Sequence, residues 1–163
     1  MKVVADAGPI VALSKAGQLN LLPQLFDEVV VPQSVIEEVA GHGETRPGAE
    51  IATLPWAHLK ADTAGRSKLQ ERYRLGDGEA EAIALSLQDA VGTYLLIDED
   101  SGFKVAARLG IQTVRSGAVL VMAVSSGIIT AKAAELALAI FRSERYISAS
   151  VEHAILDLLH EVT

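Results

Sequence analysis

The segment that decides the fold is Lys2-Val3-Val4-Ala5-Asp6-Ala7-Gly8-Pro9. Its first residues form a short run rich in β-branched side chains, which predicts a buried strand over residues 2–5. Asp6 ends the strand, and a turn at Gly8-Pro9 follows. Pro9 suits the first position of a helix, because the ring fixes φ near the helical value. A buried strand that passes at once into a helix predicts a parallel sheet covered by helices.

The same alternation continues along the chain. The pattern predicts further strands at residues 29–31, 93–97 and 111–114, with an ambiguous one near 56–60. It predicts helices after Pro32, at residues 64–72, 79–90 and 105–109, and at 118–126, 131–142 and 149–161. Residues 41–50 are rich in breakers and predict a loop or flexible lid. We therefore expect an α/β fold with a central parallel sheet flanked by helices in three layers.

The domain organisation follows from length. The 163 residues, half of them hydrophobic, suffice for one domain of ordinary size. Residues 1–115 form the predicted α/β core, and residues 116–163 form a predicted helical C-terminal cap on it. Fewer than about 50 residues would support an independent core poorly, so we expect a single domain over residues 1–163.

Composition excludes several classes of protein. The chain has no cysteine, which excludes disulfides, thiolate metal sites and cysteine nucleophiles. Its net charge of −7 argues against a broadly basic surface that coats nucleic acid, although local recognition remains possible. Asp6 would interrupt the apolar core of a signal peptide, and the longest uncharged stretch, residues 116–131, is shorter than the ~20 apolar residues of a spanning helix. We expect a cytoplasmic protein without a membrane partner.

Acidic residues recur where predicted strands end or where helices begin beside them. They are Asp6; Glu37 and Glu38; Asp77, Glu79 and Glu81; and Asp98, Glu99 and Asp100. Each alone is typical of a turn, an N-cap or a solvated helix face. The carboxyl ends of parallel strands meet at one edge of the sheet, however, and carboxylates that converge there repel one another unless a cation neutralises them.

Such a cluster suits a hard divalent cation. Mg²⁺ and Mn²⁺ prefer oxygen ligands, and the histidines His42, His58, His153 and His160 show no paired metal-ligand spacing. Two such ions can activate a water on one side of a phosphodiester and stabilise the leaving oxygen on the other. The acidic pattern therefore indicates phosphate chemistry.

The order and spacing of four segments resemble a known family. The segments are Val3-Val4-Ala5-Asp6-Ala7-Gly8-Pro9-Ile10, Val31-Pro32-Gln33-Ser34-Val35-Ile36-Glu37-Glu38-Val39, Gly76-Asp77-Gly78-Glu79-Ala80-Glu81-Ala82-Ile83-Ala84 and Leu95-Leu96-Ile97-Asp98-Glu99-Asp100. Together they resemble PIN-domain proteins, in the branch that includes the VapC-type toxins of prokaryotic toxin–antitoxin systems. The resemblance covers nearly the first 115 residues and implies a PIN-like fold.

The resemblance also implies an activity, a metal-dependent endoribonuclease that leaves a 5′-phosphate and a 3′-hydroxyl. It implies RNA as substrate, Mg²⁺ or Mn²⁺ as cofactor, and a toxin role with an antitoxin partner. The catalytic and metal-binding residues that it implies are Asp6, Glu38, Glu81 and Asp98, with Glu79 and Asp100 in support.

The two glutamates of the third motif are not equivalent. Residues two apart on a regular helix point about 200° apart, so Glu79 and Glu81 cannot both face the ions unless Glu79 lies in a frayed first turn. We expect Glu81 to be the inner ligand, because it precedes the small and apolar run Ala82-Ile83-Ala84. Gly8 stands where the family commonly has a serine or threonine, so no hydroxyl assists Asp6 at that position.

Three alternatives stay open at the level of sequence. Arg66, Lys68, Arg72 and Arg74 could hold an RNA backbone or could simply be a solvated helix face. The apolar C-terminal helices could be core, or could form a homodimer or antitoxin groove. The domain could also be a catalytically inactive PIN-like binding module or, with a poorer match, a receiver-like phosphoacceptor.

Overall fold

The computed structural model describes residues 1–41 and 46–163. Residues 42–45 of the predicted loop or lid over residues 41–50 therefore lie outside the described residues, and its last two residues belong to a 3-10 helix. The strands are β1 (Lys2–Ala5), β2 (Glu28–Pro32), β3 (Ala57–Lys60), β4 (Thr93–Leu96) and β5 (Gln112–Val114). The helices are α1 (Ala7–Lys15), α2 (Leu21–Leu25), α3 (Gln33–Ala40), α4 (Thr63–Arg72), α5 (Asp77–Gln88), α6 (Asp100–Arg108), α7 (Ser116–Ser125), α8 (Ala131–Ser143) and α9 (Ala149–Glu161), and a short 3-10 helix spans Ala49–Ala52.

The strands form one parallel sheet in the order β3-β2-β1-β4-β5. The central strand β1 pairs with β2 on one side and with β4 on the other, so Val3 lies between Val29 and Tyr94. The chain therefore winds outward from β1 in both directions, and the order reverses between β1 and β4. Receiver domains have the strand order 2-1-3-4-5, so this topology removes the phosphoacceptor alternative.

Helices cover both faces of the sheet, which confirms the three-layer α/β fold. Val3 and Ala5 of β1 belong to a hydrophobic cluster with side chains of α1, α2, α3, α7, α8 and α9. Val4 points to the opposite face, where its cluster contains side chains of α4, α5 and α6. Successive strand residues alternate between the faces. Val3, Val4 and Ala5 are fully buried for this reason, and their continuous apolar sequence reflects that burial.

The C-terminal helices share the core of the sheet. Phe141 of α8 and Leu159 of α9 are at most 1% exposed, and both belong to the cluster that contains Val3. The predicted helical cap is therefore packed on the α/β core. This shared cluster supports the proposal that residues 1–163 form one domain.

Several helices begin earlier than the sequence pattern predicts. Helix α5 begins at Asp77 instead of Glu79, because the Glu79 side chain reaches back and accepts a hydrogen bond from the backbone N–H of Gly76 at 3.1 Å. Helix α1 begins at Ala7, with Pro9 in its first turn, where a missing N–H costs nothing. The pattern does not predict α2 or the 3-10 helix, since each is about one turn long and carries no complete helical period.

In the described part of the chain, none of the helices combines the length and the apolar character that crossing a membrane requires.

Candidate metal centre

The reversal of strand order between β1 and β4 brings two aspartates to the same edge of the sheet. Asp6 is the first residue after β1, and its backbone N–H still donates to the carbonyl of Leu96 in β4, at 2.9 Å. Asp98 lies two residues beyond Leu96. A Cβ added to Gly8 of α1 would lie 3.9 Å from the Cβ of Asp98, so the start of α1 is also next to Asp98. Open α/β sheets bind ligands at such a switch point.

Helices α3 and α5 bring a third carboxylate beside Asp6. Glu38 projects from α3 toward Gly78, in the first turn of α5. A Cβ at position 78 would lie 3.1 Å from Oε2 of Glu38 and 3.3 Å from Oδ1 of Asp6. The carboxylates of Asp6 and Glu38 therefore face one small space, and the missing side chain of Gly78 leaves that space free.

Glu79 is held at the same site by α5 and α6 together. Its Oε2 accepts from the N–H of Gly76, and its Oε1 accepts from the hydroxyl of Ser101 at 3.0 Å. A Cβ at Gly102 would lie 2.9 Å from Oε1 of Glu79. Only glycine permits this close approach between α6 and the glutamate.

The pKa of Asp6 indicates that these carboxylates lie close enough to influence one another's ionisation. Burial raises the pKa of Asp6, which is 4% exposed, and the negative charges of Glu79, Glu38 and Asp98 raise it further, to about 7. The backbone N–H of Ala7 offsets part of this rise. The four carboxylates form what we call the acidic cluster: Asp6, Glu38, Glu79 and Asp98.

Two other members of the acidic cluster have raised pKa values. Burial raises the pKa of Glu38, and the charges of Glu79 and Asp77 add to the shift. Burial also raises the pKa of Asp98, while Ser116 and Arg115 oppose it. The N–H of Ser116 donates to Oδ1 of Asp98 at 2.9 Å, which fixes the orientation of this carboxylate.

The structure places Glu81, the inner ligand predicted from the sequence, among other partners and outside the acidic cluster. It is 1% exposed, and it accepts hydrogen bonds from the N–H of Ser34, the hydroxyl of Ser34 and the N–H of Asp62. Burial would raise the pKa of Glu81, but these hydrogen bonds and the charge of Arg66 outweigh burial and lower it. Because α5 begins at Asp77, Glu79 and not Glu81 faces Asp6.

Glu81 instead supports the helix that carries Glu38. Helix α3 begins after Pro32, which has no side-chain donor or acceptor to cap the helix. The first N–H groups of a helix need such a partner, and the carboxylate of Glu81 supplies it to Ser34 from a different helix. Glu81 therefore holds α3 against α5, and this positions Glu38 relative to Gly78.

The charges of Asp100 and of the basic helix face are not among those that shift the pKa of Asp6. Asp100 is exposed and pairs with Arg115 at 2.8 Å, and this contact lowers the pKa of Asp100. Arg115 also donates to the carbonyl of Asp98 at 2.8 Å and lies 4.3 Å from the ring centre of Phe103. Arg66 of the basic face on α4 influences Glu81 through its charge.

The acidic cluster has the donor chemistry of a hard divalent cation, although its side chains are not converged. Within residues 1–41 and 46–163, no three histidine, aspartate or glutamate side chains are arranged to hold a metal ion as they stand. The possible donors are all carboxylate oxygens. No positively charged side chain lowers the pKa of the buried Asp6, and Gly78 leaves an open space between the carboxylates of Asp6 and Glu38. These features fit Mg²⁺ or Mn²⁺.

A cleft of about 790 Å³ lies between the segment that follows β4 and the C-terminal helices. Asp98 is the member of the acidic cluster that lines this cleft, and Glu99, Asp100 and Arg115 line it too. Residues 145–148 and one side of α9 belong to the same lining. A ligand bound next to Asp98 can therefore also contact the C-terminal helices.

The topology and the carboxylate positions agree with the comparison to known families. A family model described as "DUF3368: PIN domain" matches residues 2–161. The chain belongs to this PIN-domain family. The match spans the C-terminal helices of the PIN domain as well as its α/β core, whereas the sequence resemblance covered only the first part. Neither the search of curated proteins nor the search of solved structures gave a match.

The sequence did not reveal the residues that shape the site but carry none of its carboxylates. Gly78 and Gly102 allow carboxylates to approach α5 and α6, and Ser34 fixes Glu81. Gly78 does carry a signal, because it directly precedes Glu79 within a helix, where glycine is unfavourable. The partners of Ser34, which are Glu81 and the carbonyl of Asp77, lie 47 and 43 residues away in the sequence, and no local pattern reveals them.

Proposed function

We propose that this PIN domain is a Mg²⁺- or Mn²⁺-dependent endoribonuclease. The observation that carries the proposal is the buried carboxyl group of Asp6, which faces Glu38 across the open space at Gly78 and lies close enough to Glu79 and Asp98 for their charges to raise its pKa. An unneutralised group of this kind is costly to the folded protein. It is typical of a site built for a cation, and the PIN-domain family is a family of nuclease-type folds.

The residues of the acidic cluster have separate tasks in this proposal. Asp6, Glu38, Glu79 and Asp98 hold the cation, and Ser116 and Ser101 orient Asp98 and Glu79. When bound, the cation supplies an activated water and neutralises charge on the phosphodiester. Glu81 keeps α3 in position. Without a cation, the acidic cluster repels the phosphate backbone, so RNA binding at this edge requires the metal.

The experiment is cleavage of single-stranded RNA by the purified protein with Mn²⁺, with Mg²⁺ and with EDTA. Asp6→Asn is the matched control, because it removes one charge and little volume. We expect cleavage with either metal, none with EDTA or with the variant, and products with a 5′-phosphate and a 3′-hydroxyl. Equal cleavage by the wild type and Asp6→Asn would contradict the proposal.

A second candidate function is a PIN-like binding module without turnover. The observation that favours it is the lack of a converged ligand trio among the described residues. In that case Mn²⁺ produces no RNA cleavage, whereas RNA or a protein partner still binds. Binding without metal-dependent product formation separates this module from the nuclease.

We further propose that the enzyme is the toxin of a toxin–antitoxin pair, and this finer assignment rests on the VapC-type sequence resemblance. Expression of the wild-type chain is expected to arrest growth of a bacterial host, whereas Asp6→Asn does not. Co-expression of a short reading frame adjoining the gene should relieve the arrest. The cytoplasmic location and the homodimer remain predictions, and light scattering of the purified protein tests the homodimer.

A further inference from the structure

The end of helix α8 has an arginine in a backbone position that favours glycine. Arg145 has φ of 62°, and it is the one residue other than glycine with positive φ in the described part of the chain. Its N–H donates to the carbonyl of Arg142, and the N–H of Tyr146 donates to that of Phe141. These two hydrogen bonds define a Schellman motif with Arg145 at the left-handed position.

Three other helices end with the same pair of hydrogen bonds, and each has glycine at this position. The residues are Gly17 after α1, Gly110 after α6 and Gly127 after α7, with φ between 68° and 73°. A side chain in the left-handed conformation is strained, because Cβ crowds the backbone. Three helix ends therefore have glycine, which adopts this conformation without strain, whereas the end of α8 has a strained arginine.

The strained residue lines the same cleft as one member of the acidic cluster. Arg145 and Tyr146 contribute to the lining from the cap, and Asp98 contributes to it from the segment after β4. Arg145 is exposed, and no ion pair joins it to a carboxylate among residues 1–41 and 46–163. Strained backbone that persists in a folded protein is frequently associated with function. Among the described residues the guanidinium of Arg145 is thus a cation without an ion-pair partner, in a cleft that Asp98 also lines.

We propose that Arg145 binds a backbone phosphate of single-stranded RNA whose scissile phosphodiester lies at the acidic cluster. This inference rests on the proposed function and adds to it a substrate-binding residue in the cap. Arginine matches phosphate geometry through its planar set of donors. RNA is favoured over a protein occupant because Asp98, which the proposed function assigns to the cation that acts on the scissile phosphodiester, lines the same cleft. A single strand is favoured because an aromatic residue, Tyr146, also lines the cleft, and aromatic rings stack on unpaired bases.

Two substitutions of Arg145 separate binding from strain. Arg145→Gly removes the charge and the strain, whereas Arg145→Gln removes only the charge. We expect the glycine variant to raise the melting temperature by about 2–4 °C, as relief of left-handed strain predicts for a chain of this size. The glutamine variant should melt near the wild-type temperature.

RNA binding is measured separately from cleavage, by fluorescence anisotropy of a labelled single-stranded oligonucleotide with Mn²⁺. If the wild type degrades the probe, Ca²⁺, which also takes oxygen ligands, replaces Mn²⁺ in the binding measurement. Both Arg145 variants should weaken binding about tenfold, the effect of one lost charge-assisted contact. The slope of log affinity against log salt should fall by about 0.7 for one lost phosphate contact. Arg108→Gln, which removes an exposed arginine that does not line the cleft, should change neither quantity.

The steady-state kinetics of the cleaving enzyme give a further readout. KM should rise for both Arg145 variants with little change in kcat, because the contact is made equally in the ground state and the transition state.

Unchanged RNA affinity in Arg145→Gly, with a raised melting temperature, would refute the RNA contact and leave the cleft to a protein occupant. A lowered melting temperature would also overturn the inference, since the arginine would then stabilise the fold. A wild type that neither binds nor cleaves RNA refutes the proposed function itself.

Discussion

Replacing Glu81 by glutamine tests the role that the structure gives to this residue. The carboxylate of Glu81 is buried, and one of its oxygens accepts both hydrogen bonds from Ser34 while the other accepts from the N–H of Asp62. Glutamine has the same shape but only one acceptor oxygen. If that oxygen serves Ser34, the NH₂ group of glutamine faces the N–H of Asp62, and two donors meet.

The expected cost follows from these contacts. One buried donor loses its partner, which costs about 1–3 kcal/mol, and the hydrogen bonds that remain change from charge-assisted to neutral. We expect Glu81→Gln to lower the free energy of unfolding by about 2–4 kcal/mol. The pKa of Glu81 is lowered in the folded state, so its charge contributes stability above the unfolded value near 4.3. That contribution is lost as the pH falls through the folded value, and the difference between the two proteins should shrink there.

The assay is urea unfolding followed by circular dichroism at pH 7 and at pH 3.5, with Glu79→Gln as the matched control. Glu79 is only partly buried, and glutamine can still accept from Gly76 as in a capping box. We expect the control to unfold within about 1 kcal/mol of the wild type and to lose Mn²⁺-dependent cleavage. A stable Glu81→Gln together with a destabilised Glu79→Gln would refute the assignment of the two glutamates.

Further predictions concern the acidic cluster. The raised pKa of Asp6 means that its ionisation opposes folding, so the metal-free protein should lose stability as the pH rises from about 4 to about 7, by up to about 4 kcal/mol. Urea unfolding of Asp6→Asn should show a flatter profile in this range, and parallel profiles would disprove the shift. Mn²⁺ at millimolar concentration should raise the melting temperature of the wild type at pH 7.5, and should raise it less in Asp6→Asn. Gly78→Ala should weaken the Mn²⁺ response, because its Cβ would lie within 3.3 Å of oxygens of Glu38 and Asp6, whereas Gly8→Ala, with its nearest neighbour at 3.9 Å, should not. Equal Mn²⁺ responses in the two alanine variants would count against a cation beside Gly78.

The sequence predicts those parts of the fold and site that depend on local information. Asp6 follows a strand of four residues that are buried or nearly so, and the alternation of strands and helices is enough to place its carboxylate at the edge of a parallel sheet. Asp98 lies just beyond β4 for the same reason. The position of a strand end is a property of neighbouring residues, so these two placements need no knowledge of distant contacts.

The roles of Glu79 and Glu81 depend on where a helix begins, which the apolar period does not fix. The pattern predicts a start at Glu79, but the hydrogen bond from Gly76 to Glu79 extends α5 to Asp77. This extension places Glu79 in a regular first turn, beside Asp6. The buried environment of Glu81 depends on Ser34 and Asp62, which belong to other elements. Arg145 was missed because helix-end signals rely on glycine.

The most direct test of the metal centre is an X-ray diffraction measurement on crystals grown with Mn²⁺, with data collected near the manganese absorption edge. The account predicts an anomalous difference peak beside Gly78, within coordination distance of Asp6 and Glu38 and next to Glu79 or Asp98. The same crystals of Asp6→Asn should show a weaker peak or none. A peak of full strength at Glu81, or no peak at the carboxyl edge of β1 and β4 in the wild type, would contradict the account.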